Sequence, residues 1–250
     1  MKTVRIICIT VLLIAFASLS SAAVVKWSQM PSMQPFNGYS FSSETQVPAQ
    51  VADDFLCENG LPVIGLTWWG SYWDPIVYPY SNSATFGDPA SNPPGIVRGF
   101  NINIYSDVPA GSGFLPWSHP GAQGYSQYVP LDGMRVTEKV FGQIQRPAST
   151  QTVFQYDAKL PVPFEQVAGN IYWLSIQAVD PQGNPLQWGW QESVDHWNDN
   201  AVQIGYARQG WWDLLTGEDM AFETKAIPIP GAVWLLGAGL LGLLGLRKRG

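Results

Sequence analysis

The 250-residue chain is aromatic and sparsely charged, with 12 Trp, 10 Tyr and 11 Phe against 13 Lys and Arg and 19 Asp and Glu, for a formal charge of −6. All 19 acidic residues but only eight of the 13 basic ones fall between 24 and 226, which leaves that stretch near −11. Such a surface repels phosphate backbones and offers no basic stripe, so the composition excludes a nucleic-acid partner.

At the N-terminus, Lys2 and Arg5 form a basic region and Ile6 to Ala17 an apolar one. Ser20-Ser21-Ala22-Ala23 then supplies the small residues of a cleavage site, so residues 1–23 are expected to be a signal peptide. The rival expectation is a retained signal anchor. Cys8 leaves with that segment, and Cys57 remains as a lone thiol, expected to be buried on a strand rather than paired.

Between 24 and 226 the apolar residues recur mainly at a period of two. Strands are expected over Val24 to Ser28, Val51 to Cys57 and Val63 to Gly70. Phe100, Ile102 and Ile104 then face a core with Asn101 and Asn103 outward, ending at a turn in Ser106 to Gly111. Further strands are expected over Arg135 to Ile144, Thr152 to Leu160, Ile171 to Ala178, Ala201 to Ala207 and Met220 to Lys225. Long aromatic and proline-rich stretches, Trp73 to Pro94 and Val108 to Pro130, read as loops. About ten short strands joined by Gly, Pro and Asn predict an all-β domain over 24–226, a two-sheet jelly-roll-like β-sandwich.

Eleven of the 12 tryptophans lie in this domain. Most are expected in the core, and of the adjacent pair Trp68 and Trp69 only one fits the same layer, since neighbouring strand residues point to opposite faces. Trp73, Trp117, Trp211 and Trp212, in or near expected loops, are the candidate platforms on which sugar rings would stack, with amides and carboxylates bonding the hydroxyls. Polysaccharide is therefore the expected ligand class.

Asp195, Asn198 and Asp199 gather hard oxygen donors in one short segment, which suits a structural calcium ion better than zinc. The ligand spacing and central Gly of an EF-hand loop are absent. No nucleophile elbow, phosphate loop or dinucleotide fingerprint occurs, and 19 acids guarantee some carboxyl pair at glycosidase spacing by chance. The sequence thus points to no catalytic residue and no other cofactor.

The chain ends in Ile227-Pro228-Ile229-Pro230-Gly231, an apolar run from Ala232 to Leu246, and Arg247-Lys248-Arg249-Gly250. Residues 227–246 would span roughly 30 Å as a helix, about the depth of a bilayer core. Arg247, Lys248 and Arg249 would stay on the cytoplasmic face and halt translocation. The segment 227–250 resembles the PEP-CTERM sorting signal of bacterial secreted proteins, with Pro228 and Pro230 in its proline motif and Ile229 where the family has Glu. The resemblance implies recognition by an exosortase-type processing enzyme, an inner-membrane-anchored precursor with its domain outside the cytoplasm, and release to the surface or to an exopolysaccharide matrix.

Several strings of the domain also resemble those of an uncharacterised domain common in proteins bearing this tail. They include Ala52-Asp53-Asp54-Phe55-Leu56-Cys57, Trp68-Trp69-Gly70-Ser71-Tyr72, Trp188-Gly189-Trp190 and His196-Trp197-Asn198-Asp199-Asn200. That resemblance carries no activity. The function expected is an exported, noncatalytic surface protein that binds glycan. The alternatives are a secreted polysaccharide hydrolase or lyase, and a permanently anchored protein whose Gly239, Gly242 and Gly245 line a helix-packing side.

Overall fold

The computed structural model describes residues 22–35, 38–46, 49–72, 97–113, 115–146, 150–183, 186–205, 208–214 and 217–227. The signal segment up to residue 21, Trp73 with its expected loop to Pro94, and the tail from Pro228 with its proline motif and basic cluster lie outside the described residues. Among the described residues no helix is long and apolar enough to cross a membrane.

The folded unit Val25–Ala226 is all-β and consists of two antiparallel sheets packed as a sandwich. The first sheet contains β1 (Val24–Gln29), β2 (Ser40–Ser42), β4 (Val63–Tyr72), β7 (Val136–Gln145), β8 (Thr150–Phe164), β10 (Trp188–Gln191) and β13 (Phe222–Ala226). β4 is its hub, with β8 along one side and β13 and then β10 along the other. The second sheet runs in the order β12 (Arg208–Asp213), β11 (Val202–Gly205), β3 (Gln50–Leu56), β9 (Ile171–Val179), β5 (Gly99–Val108) and β6 (His119–Pro130).

Alternation places the core. In the second sheet Phe100, Ile102 and Ile104 sit opposite Ala178, Ile176 and Leu174, and all six are buried in one cluster with Trp68, Tyr156, Trp188, Trp190 and Phe222 from the first. Each large side chain so buried stabilises the fold by about 1.5–3 kcal/mol before entropy is counted. The aromatic core interlocks: Trp68 stacks on Tyr156 with ring centroids 5.5 Å apart, and its ring meets Phe100 edge-on at 4.9 Å.

Several expected boundaries move. β5 continues through Ser106 to Val108 because β6 pairs with it to the end, Val108 opposite His119. Most of the expected loop Val108 to Pro130 is therefore strand, its alternation thinned by Gly, Gln and Ser between the few residues, Tyr125 and Val129 among them, that reach the core. β2, β10 and β12 also form where no strand is expected; they are three to six residues long, too short for a periodic signal. Trp68 and Trp69 do point to opposite faces, yet both are buried. Trp69 joins Ile144, Val153 and Ala221 on the outside of the first sheet, where Met33 packs over them.

Cys57 is a free, fully buried thiol just after β3. The Lys26 ammonium lies 3.9 Å from its sulfur and donates to Gln166 Oε1 at 2.7 Å and to the Leu61 carbonyl.

Candidate functional site

The side of the second sheet facing away from the core carries the residues of interest, and strand register brings the first of them together. Asp54 on β3 lies opposite Trp173 on β9, which lies opposite Tyr105 on β5. One step along, Ala52 pairs with Ser175 and Ser175 with Asn103. Gln50 spans the rows by donating to Tyr105 Oη at 2.8 Å and Ser175 Oγ at 2.9 Å.

Over this face, Ala52, Trp173 and Val202 form a small apolar cluster covered by Tyr105, Trp117 and Trp211. Trp117 approaches from the segment before β6 and donates its indole N–H to the Trp211 carbonyl at 3.1 Å. Its ring lies 6.1 Å from Trp212, and Tyr105 lies 6.1 Å from Trp211. Trp212 is 39% exposed, Trp117 and Trp211 are half-buried, and Trp173 is fully buried. Three of the four candidate platform tryptophans thus meet in one place. Trp211 and Trp212 occupy the edge strand β12 rather than a loop. Sequence patterning missed Tyr105 and Trp173, although their alternate positions on predicted strands, opposite the inward Ile104 and Leu174, carry the signal.

Acidic groups border the aromatics. Trp173 donates its indole N–H to Asp107 Oδ1 at 2.8 Å, and Asp107 lines a shallow recess of about 340 Å³ with Ser106, Asn170 and Tyr172. Burial raises the Asp107 carboxyl, the Trp173 hydrogen bond opposes that rise, and the charge of Asp199 adds to it. Asp54 is fully buried and accepts from Asn198 Nδ2 at 2.6 Å. The same amide nitrogen donates to Asp199 Oδ2 at 2.7 Å. Burial pushes the Asp54 carboxyl up to about 8; the Asn198 hydrogen bond resists, while the charges of Asp199, Asp219 and Asp107 reinforce the rise.

A second carboxyl network, nearer the core, holds the segment that presents Asn198. Asp219 is fully buried and accepts from Trp197 N at 2.7 Å and Gln29 Nε2 at 2.9 Å, while its other oxygen meets His196 Nδ1 at 2.9 Å. Asn198 itself has φ +59°, a left-handed conformation that Asn tolerates better than most side chains. Asp195, expected to share calcium with Asn198 and Asp199, accepts from the Met30 backbone N–H at 3.1 Å. Asp54, from a strand 144 residues from Asn198 in sequence, lies beside the Asn198 amide. Nothing in the local spacing of 195–199 points to that partner.

The chemical content is an aromatic patch with carboxylate and amide neighbours on a rigid sheet face, suited to a flat ligand with apolar and hydroxylic surfaces. Comparison with known proteins gives one family match: residues 25–225 fit the model described as Domain of unknown function (DUF7901). No curated protein matches the chain. The chain belongs to this DUF7901 family, whose matched residues cover almost the whole folded unit and hence both sheets.

Proposed function

We propose that the protein is an exported, noncatalytic component of the cell surface or extracellular matrix whose second sheet binds glycan on its outer face. The observation that carries this reading is the convergence of Trp117, Trp211 and Trp212 with Tyr105 beside Asp107, Asn103 and Gln50. Sugar C–H faces stack on such rings while hydroxyls bond the flanking amides and carboxylates. Acids at the rim repel uronic and sulfated polymers, so neutral or amine-bearing sugars are the favoured class.

In this reading the frequent crossing of consecutive strands between the two sheets is a jelly-roll-like arrangement. Residues 1–23 are a signal peptide, and 227–250 are a PEP-CTERM-like tail with a transmembrane segment over 232–246. Pro228 and Pro230 are offered to an exosortase-type enzyme, and Arg247, Lys248 and Arg249 hold the precursor in the inner membrane. The tail's composition supports export.

A polysaccharide pull-down followed by titration calorimetry tests the binding. Neutral or amino polysaccharides should be retained, and Trp117→Ala and Trp211→Ala should each weaken binding at least tenfold, as loss of a stacking ring worth about 1.5 kcal/mol implies. Retention of anionic polymers alone, or unchanged binding by both variants, would remove the proposal. Export and processing are read from the intact mass of the protein from its native host: a product starting near Val24 and lacking the tail supports sorting, and an uncut chain in the cytosol contradicts it.

A second reading has one observation in its favour. Asp107, its carboxyl raised by burial, lines the recess with Asp199 as a charged neighbour, and a polysaccharide hydrolase needs such a carboxyl pair. Release of reducing ends that Asp107→Asn abolishes would replace binding by catalysis.

A further inference from the structure

We infer that Asp54, Asn198 and Asp199 form a calcium site at the edge of the aromatic face. Asp54 is fully buried, yet its Oδ1 has no hydrogen-bond partner while Oδ2 takes only the Asn198 amide. A buried carboxyl oxygen left unmatched costs on the order of 1–3 kcal/mol or more, so a fold that keeps it needs a proton or a cation to satisfy it. Asp199 comes from the loop and its carboxylate lies within one hydrogen bond of the same amide nitrogen. Two acids distant in sequence are therefore aimed at one small spot, with Asp107 adding charge of the same sign.

No ion pair among the described residues answers them. The ion pairs among the described residues join Lys139 and Lys225 to Asp157 and His196 to Asp219, leaving none on Asp54, Asp107 or Asp199. A cation is the missing complement, and its class follows from the donors. Three or more His, Cys, Asp or Glu side chains do not converge as a metal centre among the described residues, and His196 is turned to Asp219, so nitrogen- or sulfur-seeking metals are poorly served. Two carboxylates and an amide are hard oxygen donors. The Asn198 amide offers its oxygen in place of its nitrogen after a half-turn of the same planar group. Calcium accepts such mixed shells, completed by backbone carbonyls and water, with less demand on geometry than magnesium makes. Binding would fasten the Asn198 loop to β3, beside the rings that Trp173 supports.

The test uses terbium as the probe, because it occupies calcium sites and emits when a nearby indole is excited, and Trp173 is the cross-strand neighbour of Asp54. The full-length chain, purified in mild detergent and stripped with chelator, is titrated with terbium and then with calcium or magnesium. Saturable emission that calcium displaces at least tenfold more effectively than magnesium is expected, together with a rise in Tm of roughly a few degrees at millimolar calcium, the affinity range of extracellular modules. Asp199→Asn, at a half-exposed position where folding is not at stake, should weaken calcium at least tenfold, whereas Asp195→Asn should leave it unchanged; circular dichroism confirms that both fold. Absence of sensitised emission, failure of calcium to displace it, or equal affinity in Asp199→Asn would each overturn the site.

Discussion

The backbone N–H of Met220 donates to Oδ2 of Asp53 at 2.8 Å, so a carboxyl on β3 of one sheet is fixed to the residues that lead into β13 of the other. Asp53 is fully buried, and its Oδ1 accepts from the Asp54 backbone N–H at 3.0 Å. Burial holds this carboxyl well above the usual carboxylate range, helped by the charges of Asp219 and Asp54. Asp53→Ala strands two buried donors and should cost about 2–4 kcal/mol, whereas Asp53→Asn keeps an acceptor for one of them and should cost less. Urea unfolding of the three proteins measures both values, and equal losses would contradict the assigned role.

Acid should stabilise the fold across a range where most proteins are indifferent to it. Burial, a hydrogen bond to Glu218 and the charge of Glu218 push Glu192 up to about 8, and Asp54 reaches a similar value through burial. Unfolded carboxyls ionise near pH 4, so between about 4 and 8 the folded chain holds protons that the unfolded chain has released. Stability must then fall as pH rises through that window, and the loss is complete above about 8. Urea midpoints at several pH values in the presence of chelator should show the decline. Asp54→Asn and Glu192→Gln should each flatten it. Calcium at the Asp54 site should also flatten it, because a bound cation favours the ionised carboxylate.

Much of this architecture is legible in the sequence because alternation is a local signal. Ile102 and Ile104 face the core as their spacing requires, and strand register then sets Trp173 and Tyr105 on the other side without further information. What the sequence conceals is non-local. The partner of Asn198 is Asp54, set by the pairing of β3 with β9 and β11, so the run 195–199 suggests Asp195 instead. Trp69 looks like the surplus member of a pair, because the second apolar layer that receives it comes from Met33 and from Phe141 of β7, neither set by its own alternation.

The two classes of tryptophan should separate cleanly in stability. Trp68 is fully buried between Tyr156 and Phe100, and Trp68→Ala should cost roughly 3–5 kcal/mol through lost burial and the cavity it leaves. Trp212 is 39% exposed at an edge strand, and Trp212→Ala should cost less than about 1 kcal/mol. Denaturant titration distinguishes them. A large loss at Trp212 would mean that its ring builds the fold rather than a binding surface.

Gly70 sits where two strands of the first sheet leave no room for a side chain. It lies opposite Trp190 where β4 pairs with β10, and a Cβ placed there would come within 2.6 Å of Trp188 Cε2 and 2.8 Å of the Gly189 carbonyl oxygen. Neither neighbour yields easily: the Trp188 indole is fully buried, with Phe100 at 5.3 Å and Tyr156 at 6.1 Å, and the carbonyl belongs to a short strand held by β4 and β2. Close packing therefore makes a single methyl group expensive here. Gly70→Ala should destabilise by about 2–3 kcal/mol despite removing the backbone freedom that normally makes Gly the poorer strand residue. Compensation is specific: Trp188→Phe frees space at the clash, so the double variant should lose less than the two single losses combined. Additive losses in a double-mutant cycle would place the strain elsewhere.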